Sequence, residues 1–577
     1  MRDTVKQVFR KPRRHALATA VLLALFTVVS HAYQTADSAS PLFASPTALA
    51  RWTIMFVALA AVAYVGISVL FFLLDRANHG AQEADISFRT VLRRHFLLFF
   101  LVVYICWMPW IVSHYPGLMR DDTVRQMMQT YALEPYSNAN PLFDTWVFGL
   151  FWQLGDTLGN RALGLYLFGF VQAALTAGSF SFALCYLEKI RAPKFVIAAS
   201  LAAISLLCIF PQAAMSMSKD SFNGCPFILF FVLVAELCRS KGNVIKRADF
   251  LVALTLSTIL LVATKRSMLY VALLVFASVF VFVQGRRVRA ATTFTIIIAA
   301  SAAFSSVMMP SVMRNDAEKS LRSEPPAADA TFVLIPLQQT GRLLAEGGDI
   351  PPKERAALER YIDCDLTAET YNPRRADEVV QATKSGSTNE DRAAYLNAWA
   401  SLGTKHPDVY TEAFVNQIFG WFSPFWKIAF GYDLSNDVFD KGHMDIWASH
   451  APEGEAATRP LLEPLDTDLA ALTPLQSLTE QWACWQYYTP GLISCGVWCT
   501  WIPLVAFAYT LRAGKRRTAV AFAVPAATLL SVLIGPMVLY WYAIPLFYIA
   551  PLLMGIASAP EPEIRRSLSN SVGKPCA

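Results

Sequence analysis

The sequence predicts an all-α, polytopic membrane protein with about twelve transmembrane helices and one extracytoplasmic, mainly helical segment. Of 577 residues, 55% are hydrophobic and only 16% are charged, whereas soluble domains carry about 25% charged residues. The apolar residues are concentrated in runs that approach the length of about 20 residues needed to cross a membrane. These runs are 15–33, 52–75, 95–113, 162–187, 194–211, 222–238, 249–264, 267–284, 290–310, 489–511, 517–535 and 537–556.

Lys and Arg in the loops predict the orientation of these helices, because cytoplasmic loops carry an excess of both residues. With the N-terminus in the cytoplasm, the inner segments hold 27 of the 49 basic residues, the short outer segments hold 7, and one long outer loop holds 15. Both termini are therefore predicted to be cytoplasmic, with the first apolar run as an uncleaved signal anchor. The net charge of +6 reflects topology, so no nucleic-acid partner is expected.

We expect three parts along the chain. Residues 1–310 form a transmembrane module that includes a large outer loop at 114–161. Residues 311–488 form a soluble extracytoplasmic segment, and residues 489–577 form the last transmembrane helices and a cytoplasmic tail.

The large outer loop contains a second apolar stretch, "NPLFDTWVFGLFWQLGDTL", from Asn140 to Leu158. It carries Asp144 and Asp156, and a charge inside the membrane costs about 2.5–3.5 kcal/mol on insertion scales. If this stretch crossed the membrane, every later loop would change sides. The stretch is therefore predicted to form amphipathic helices on the outer membrane surface.

The soluble segment is predicted to begin with a linker, "RNDAEKSLRSEPPAADA". "PPKERAALERYI" predicts a helix with Pro in its first turn. A longer stretch predicts two helices that are interrupted at His406 and Pro407. Cys364 and Cys484 both face outward, and a disulfide between them stays open. Aromatic runs such as "QIFGWFSPFW" fit a membrane-interface belt better than a sugar-stacking surface.

Polar groups gather at the predicted outer edge of the membrane. Cations there would hold a phosphate that leaves, and a carboxylate would take a proton from an attacking hydroxyl group. Arg suits a bidentate phosphate contact and Lys a point charge. The candidate residues are Asp121, Asp122, Asn140, Lys219, Asp220, Lys265, Arg266, Gln338, Gln339 and Arg342.

Each candidate also has an ordinary structural interpretation. The two adjacent aspartates fit solvated loop charges. Lys219 fits a side chain that extends to the interface, and Asp220 fits a helix N-cap. The remaining cations fit interfacial charges or an amphipathic turn. The histidines show no ligand spacing, so no zinc site is expected, whereas a divalent cation as cofactor stays open.

Five motifs in fixed order resemble a bacterial membrane-protein family near the GT-C glycosyltransferase superfamily. They are "YPGLMRDDTVRQ", "NPLFDT", "SKDSF", "TKRSMLY" and "IPLQQTGRLL", and the resemblance covers about residues 95–430. The family's first outer loop has Pro-Gly, four further residues, Asp-Ser, and a Gln three residues after the Ser. This chain has Pro116, Gly117, Asp122, Thr123 and Gln126 at these positions.

The resemblance implies an inverting glycosyltransferase that acts on the outer face of the plasma membrane. It would move a sugar from a polyprenyl-phosphate donor to a cell-envelope polymer or glycolipid. By position, Asp122 becomes the candidate base, with Asp121 as its neighbour or substitute. The implied contacts to the donor phosphate or sugar are Lys219, Asp220, Arg266 and Arg342.

The chain departs from the family pattern at three places. Asn140-Pro141 stands where His-Pro is usual, and Ser267-Met268 stands where Asn-Gly is usual. "VLYWYAIP" near the C-terminus lacks the expected Arg. The first departure puts a metal-binding or substrate-binding His in doubt, and the last removes a cation from the implied donor site.

Three other functions compete with the glycosyltransferase. A transporter or flippase of lipid-linked saccharides fits the number of helices, but polar groups would then be expected near the membrane midplane. A polymerase or ligase of envelope polysaccharides would share the outer cations and differ in substrate. A non-catalytic scaffold is the remaining alternative.

Overall fold

The computed structural model describes residues 14–78, 87–119, 121–133, 136, 140–282, 287–312, 328–426, 460–462 and 470–562. The predicted linker falls almost wholly outside these residues. Within them the protein is mainly α-helical, as the composition predicts. The one sheet in this part of the chain has two short parallel strands, β1 at Leu118–Met119 and β2 at Ser216–Met217.

The α-helices are numbered here in chain order. They are α1 Arg14–Ala36, α2 Pro46–Asn78, α3 Phe88–Ser113, α4 Asp121–Thr130, α5 Leu142–Thr157, α6 Arg161–Lys189, α7 Lys194–Leu206, α8 Ile209–Met215, α9 Lys219–Phe222, α10 Gly224–Arg239, α11 Ala248–Thr264, α12 Met268–Phe282, α13 Arg287–Ala303, α14 Met309–Val312, α15 Ala328–Ala345, α16 Pro352–Leu358, α17 Cys364–Glu369, α18 Asn389–Lys405, α19 Pro407–Ile418, α20 Thr473–Tyr488, α21 Ile502–Arg512, α22 Arg516–Val520, α23 Ala523–Leu533 and α24 Tyr540–Ser558.

Eight helices in the described part of the chain are long and apolar enough to cross a membrane. A ninth is added if α7 and α8, which meet at 58°, form one bent span. The apolar helices α11 and α12 are shorter. The polytopic helical fold is therefore confirmed, whereas the count of twelve stays a prediction. The eight helices are Arg14–Ala36, Pro46–Ala77, Phe88–Ser113, Arg161–Lys189, Lys219–Arg239, Arg287–Met308, Arg516–Leu533 and Tyr540–Ser558.

The predicted span 489–511 begins later than its hydropathy suggests. A π-helical turn at Gly496–Trp501 leads into α21. At Gly496 a Cβ atom would lie 2.0 Å from the carbonyl oxygen of Ser423. The close approach of these two chain segments explains why a residue without a side chain starts this helix.

Helix α5 forms a tight antiparallel hairpin with α6 and brings Asp144 and Thr145 into the protein, whereas Asp156 near its end stays exposed. Its buried residues recur on one face, as in other amphipathic helices, and include Asp144, Phe148 and Trp152. At Gly164 a Cβ atom would lie 2.3 Å from the carbonyl oxygen of Phe151, so the two helices are almost in backbone contact. The prediction of several surface helices is wrong in number: one helix forms here.

The described residues 328–426 form a helical unit with its own apolar core. Helix α16 starts with Pro at its first turn, as predicted. Helices α18 and α19 are separated at His406, which confirms the predicted interruption. Cys364 and Cys484 are both free thiols, so the disulfide that the sequence left open does not form.

This helical unit contacts the turn that precedes the last helix, α24. The backbone N–H of Ala376 donates to the carbonyl oxygen of Pro536 at 2.8 Å. The Gln417 amide donates to the carbonyl oxygen of Gly535 at 2.6 Å. The unit is therefore attached to one edge of the helical bundle.

Candidate functional site

Strand β1 lies in the loop between α3 and α4, and strand β2 lies just before α9. Their pairing brings the starts of α4 and α9 together. Leu118 pairs with Ser216 and Met119 pairs with Met217. Gly117 enters the sheet at a φ of +128°, a backbone region that favours glycine. The Thr123 hydroxyl donates to the carbonyl oxygen of Met217 at 2.6 Å. These contacts fix the first turn of α4 against the first turn of α9.

Asp122 and Lys219 meet at this junction. The Lys219 ammonium lies 2.7 Å from a carboxylate oxygen of Asp122 and donates to the Asn140 side-chain oxygen at 2.8 Å. The Asp122 side chain is 56% exposed and that of Lys219 is 21% exposed. Three candidates from separate parts of the sequence therefore converge, and the Asp122 carboxylate is exposed.

A buried carboxyl group lies behind this pair. Asp144, in the first turn of α5, is 0% exposed, and neither carboxyl oxygen has a hydrogen-bond partner in the described structure. Burial raises the pKa of Asp144 well above its usual range, an effect that the charge of Lys219 opposes, that of Asp220 reinforces and that of Arg266 opposes. Asp144 thus links the candidate cations to one another electrostatically.

Lys265 and Asp220 form a second, more buried ion pair beside the first. Their side chains are only 13% and 8% exposed. The Lys265 ammonium also lies 5.7 Å from the centre of the Tyr542 ring, which adds a cation–π contact. Arg266, the next residue, lies in the turn between α11 and α12 and is exposed. We use the name junction cluster for seven residues: Asp122, Asn140, Asp144, Lys219, Asp220, Lys265 and Arg266.

The junction cluster lies at one edge of the apolar helices. Helix α3 ends just before the loop that leads to Asp122, and Lys219 starts a candidate span. The turn at Lys265 connects two further apolar helices. A phosphate attached to a membrane lipid would lie at the depth of these helix ends. The arrangement can bind an anion and accept a proton at adjacent positions.

The structure places three predicted site residues elsewhere. The Gln338 amide donates to the carbonyl oxygen of Asn372 at 2.6 Å. The Gln339 amide donates to the carbonyl oxygen of Tyr410 at 3.1 Å. Both partners belong to the helical unit at 328–426, so these contacts hold that unit together.

Arg342 connects the same unit to the loop after α1. It donates to the carbonyl oxygen of Asp37 at 3.0 Å, and its guanidinium lies 2.9 Å from Glu346 and 4.0 Å from Glu412. These partners lie outside the junction cluster. A substrate contact by Arg342 stays a prediction.

Sequence reasoning missed the importance of Asp144 and Gln126. A charged residue inside an apolar helix is itself a signal of a functional group, but here it served only to argue against a membrane span. The Gln126 amide donates to the Thr145 hydroxyl at 3.0 Å and so ties α4 to α5.

The side chain of Asp121 lies outside the described part of the structure. The described residues include no group of three or more His, Cys, Asp and Glu that could hold a metal ion.

Comparison with known proteins places most of this region in one family. The family described as "Family of unknown function (DUF6020)" matches residues 130–457, more than half of the chain. The chain belongs to this family. No curated protein and no solved structure matches the sequence.

The DUF6020 match covers most of the junction cluster but begins only at Thr130, the last residue of α4. Asn140, Asp144, Lys219 and Arg266 lie inside the matched residues, whereas Asp122 lies just before them. The family region therefore supplies the cations and the buried carboxyl group, and the first turn of α4 supplies the exposed carboxylate.

Proposed function

We propose that this chain is a glycosyltransferase of the GT-C type. It moves a sugar, with inversion, from a polyprenyl-phosphate donor to a cell-envelope polymer or glycolipid. The proposal is supported mainly by one observation: the exposed carboxylate of Asp122 lies 2.7 Å from the ammonium of Lys219 at the edge of the apolar helices. A base and a phosphate ligand are needed at adjacent positions for this reaction.

Lys219 acts first by binding the donor phosphate. In the structure its charge is shared between the Asp122 carboxylate and the Asn140 side-chain oxygen. A phosphate at this position competes with Asp122 for the ammonium, which leaves the carboxylate available to the acceptor hydroxyl. Donor binding therefore prepares the base.

The transfer is a single displacement. The proton of the acceptor hydroxyl passes to Asp122, and the acceptor oxygen forms a bond to the anomeric carbon of the sugar. The bond between this carbon and the phosphate oxygen breaks, and its electron pair leaves with the polyprenyl phosphate. Lys219 and Arg266 stabilise the negative charge of this leaving group. No cofactor is part of the proposal, and a divalent cation stays open.

The proposed topology has twelve spans, cytoplasmic termini and an extracytoplasmic junction cluster in the plasma membrane. The excess of Lys and Arg in the predicted inner segments supports this orientation. The helical unit at 328–426 then lies on the same outer side, since it contacts the turn before α24.

The proposal is tested with the purified full-length chain, a panel of polyprenyl-phosphate sugars and acceptors prepared from cell envelopes. Release of polyprenyl phosphate is measured for the wild type and for Asp122→Asn. Removal of a general base should lower the rate by about 10²–10⁴-fold. Asp121→Asn tests whether the adjacent residue serves instead.

Asp365→Asn is the matched control, because Asp365 is an exposed carboxylate in an ion pair with Arg355 at 2.8 Å. It should release polyprenyl phosphate at the wild-type rate. Equal release by the wild type, both loop variants and the control would overturn the carboxylate mechanism.

A transporter of lipid-linked saccharides is the second candidate, and it is favoured by the buried Asp144, whose carboxyl oxygens have no hydrogen-bond partner among the described residues. Ionisable groups buried among membrane helices often relay protons in transporters. The two functions differ in product. Transport moves an intact lipid-linked saccharide across a vesicle membrane, whereas transfer releases polyprenyl phosphate.

A further inference from the structure

A large apolar cavity lies along α21, away from the junction cluster. Its volume is about 530 Å³, and its walls come from α12, α21 and α23. Leu504, Phe507, Ala526 and Leu529 are among the lining residues, and Arg516 is the charged residue that reaches it. The cavity thus has an apolar body and a cationic end.

A second cavity of about 330 Å³ adjoins the first at this cationic end. Phe282, Arg516 and Val520 line both cavities. Lys241 and Arg517 complete a group of three cations around the second cavity, and no acidic residue is among its described lining residues. The joined space therefore favours a ligand with an anionic head and an apolar tail.

Two of these three cations have no partner among the residues that the structure describes. Arg517 lies 4.0 Å from Glu561. In the described part of the chain, the side chains of Lys241 and Arg516 have neither an ion-pair nor a hydrogen-bond partner. Nearby Arg512, by contrast, pairs with Asp75 at 2.6 Å. The cavity therefore retains positive charge that an external anion can neutralise.

The dimensions fit one membrane leaflet. The apolar cavity follows the chain from Cys499 to Leu511, about 18 Å at 1.5 Å per residue. Half of a hydrocarbon core of about 30 Å is about 15 Å. The cavity is therefore long enough for one acyl chain of one leaflet.

The cationic end lies at the opposite membrane edge from the junction cluster. Lys219 begins the span Lys219–Arg239 and Lys241 follows its end. About 20 residues of helix at 1.5 Å each span about 30 Å, the thickness of the hydrocarbon core. Anionic lipid headgroups at that edge would meet Lys241 and Arg516 directly.

We propose that the two cavities bind an anionic phospholipid. Its phosphate lies between Lys241 and Arg516, beside Arg517, and one acyl chain fills the apolar cavity along α21. The site is separate from the proposed sugar-transfer site and does not depend on that function.

The test measures thermal unfolding of the full-length chain in a neutral detergent. Phosphatidylglycerol is the probe, and phosphatidylcholine with the same acyl chains and inorganic phosphate are compared with it. A ligand that binds only the folded state raises the unfolding temperature. Phosphatidylglycerol should raise it by several degrees, and the other two additives should raise it by much less.

The variant Lys241→Gln/Arg516→Gln should lose most of this shift. Arg289→Gln is the matched control, since Arg289 is exposed and lines neither cavity, and it should keep the shift. Ala526→Phe narrows the apolar cavity and leaves both cations in place. It should reduce the binding of phosphatidylglycerol and therefore the shift in unfolding temperature.

Native mass spectrometry on the same proteins counts retained phosphatidylglycerol, so the result does not depend on unfolding alone. Equal shifts with phosphatidylcholine, an equal shift with inorganic phosphate, or an undiminished shift and undiminished retention in Lys241→Gln/Arg516→Gln would each overturn the proposal.

Discussion

The junction cluster and the surroundings of Arg342 are two polar regions that the sequence placed in a single site. In the junction cluster, Asp122 is 56% exposed and Asp144 is buried without a hydrogen-bond partner in the described structure. Around Arg342, the charge is taken up by Glu346, by Glu412 and by the carbonyl oxygen of Asp37.

The two regions differ in whether their charged groups are fully paired within the protein. Arg342 pairs with Glu346 and Glu412 and joins the 328–426 unit to the loop after α1 through the carbonyl oxygen of Asp37. These contacts are structural. Asp144 carries a desolvation cost that the charges of Lys219 and Arg266 offset only in part, and such a cost is typical of functional sites. Charged residues at the same predicted depth therefore differ in the partners that the fold gives them.

The buried pair Lys265–Asp220 provides the largest expected effect. Lys265→Met should lower the free energy of unfolding by about 3–5 kcal/mol, because it leaves a buried carboxylate without its partner. Denaturant titration of the purified chain measures this loss. The double variant Lys265→Met/Asp220→Leu should recover most of it, and Arg355→Met, in an exposed pair, should cost at most about 1 kcal/mol. If the double variant stayed as unstable as Lys265→Met, Lys265 or Asp220 would have a further stabilising partner beyond this pair.

Lys219→Gln and Arg342→Gln test the comparison itself. Lys219→Gln should lower the transfer rate by about 10²–10³-fold, the usual cost of losing one group that stabilises developing charge, with little change in unfolding temperature. Arg342→Gln should lower the unfolding temperature and leave the rate per folded molecule nearly unchanged. The reverse pattern would place the substrate at Arg342.

The hairpin of α5 and α6 should matter next, because it carries Asp144 to the junction cluster. Gly164→Ala should cost about 1–3 kcal/mol by overpacking against Phe151. Gly66→Ala, where a Cβ atom would meet nothing within 4 Å, should be neutral or stabilising by at most about 1 kcal/mol. Equal stabilities of the two variants would mean that the hairpin packs less tightly than the structure shows.

Asp144→Asn should have the smallest effect, a stabilisation of at most about 1 kcal/mol at neutral pH, because Lys219 and Arg266 already offset part of the burial cost and the amide still lacks a hydrogen-bond partner. Because the folded-state pKa is raised, the wild type loses stability as the pH rises above the ordinary aspartate range. The advantage of Asp144→Asn should therefore be small near pH 4 and grow toward neutral pH in thermal unfolding. A destabilised variant at neutral pH would mean that the carboxylate has a stabilising partner.

Much of the architecture could be predicted from sequence because hydropathy and helix signals are local. The apolar runs marked the eight described helices that are long enough to cross a membrane. Proline and capping signals placed α16 and the break at His406. The predicted span that starts at 489 begins too early, because α20 ends at Tyr488 and a turn with Gly491 at a φ of +76° separates it from the helix that begins at Gly496.

Hydropathy and loop charges alone indicate a polytopic helical membrane protein, the polar residues of each loop and the helices that separate the loops. Only the tertiary structure decided that Asp122 meets Lys219, that Asp144 is buried behind them, and that Arg342 contacts Asp37 instead. The physical reason is that hydrophobicity and capping act between neighbours in the chain. Convergence of distant loops depends on how α3, α5 and α10 pack, and no local pattern encodes that packing.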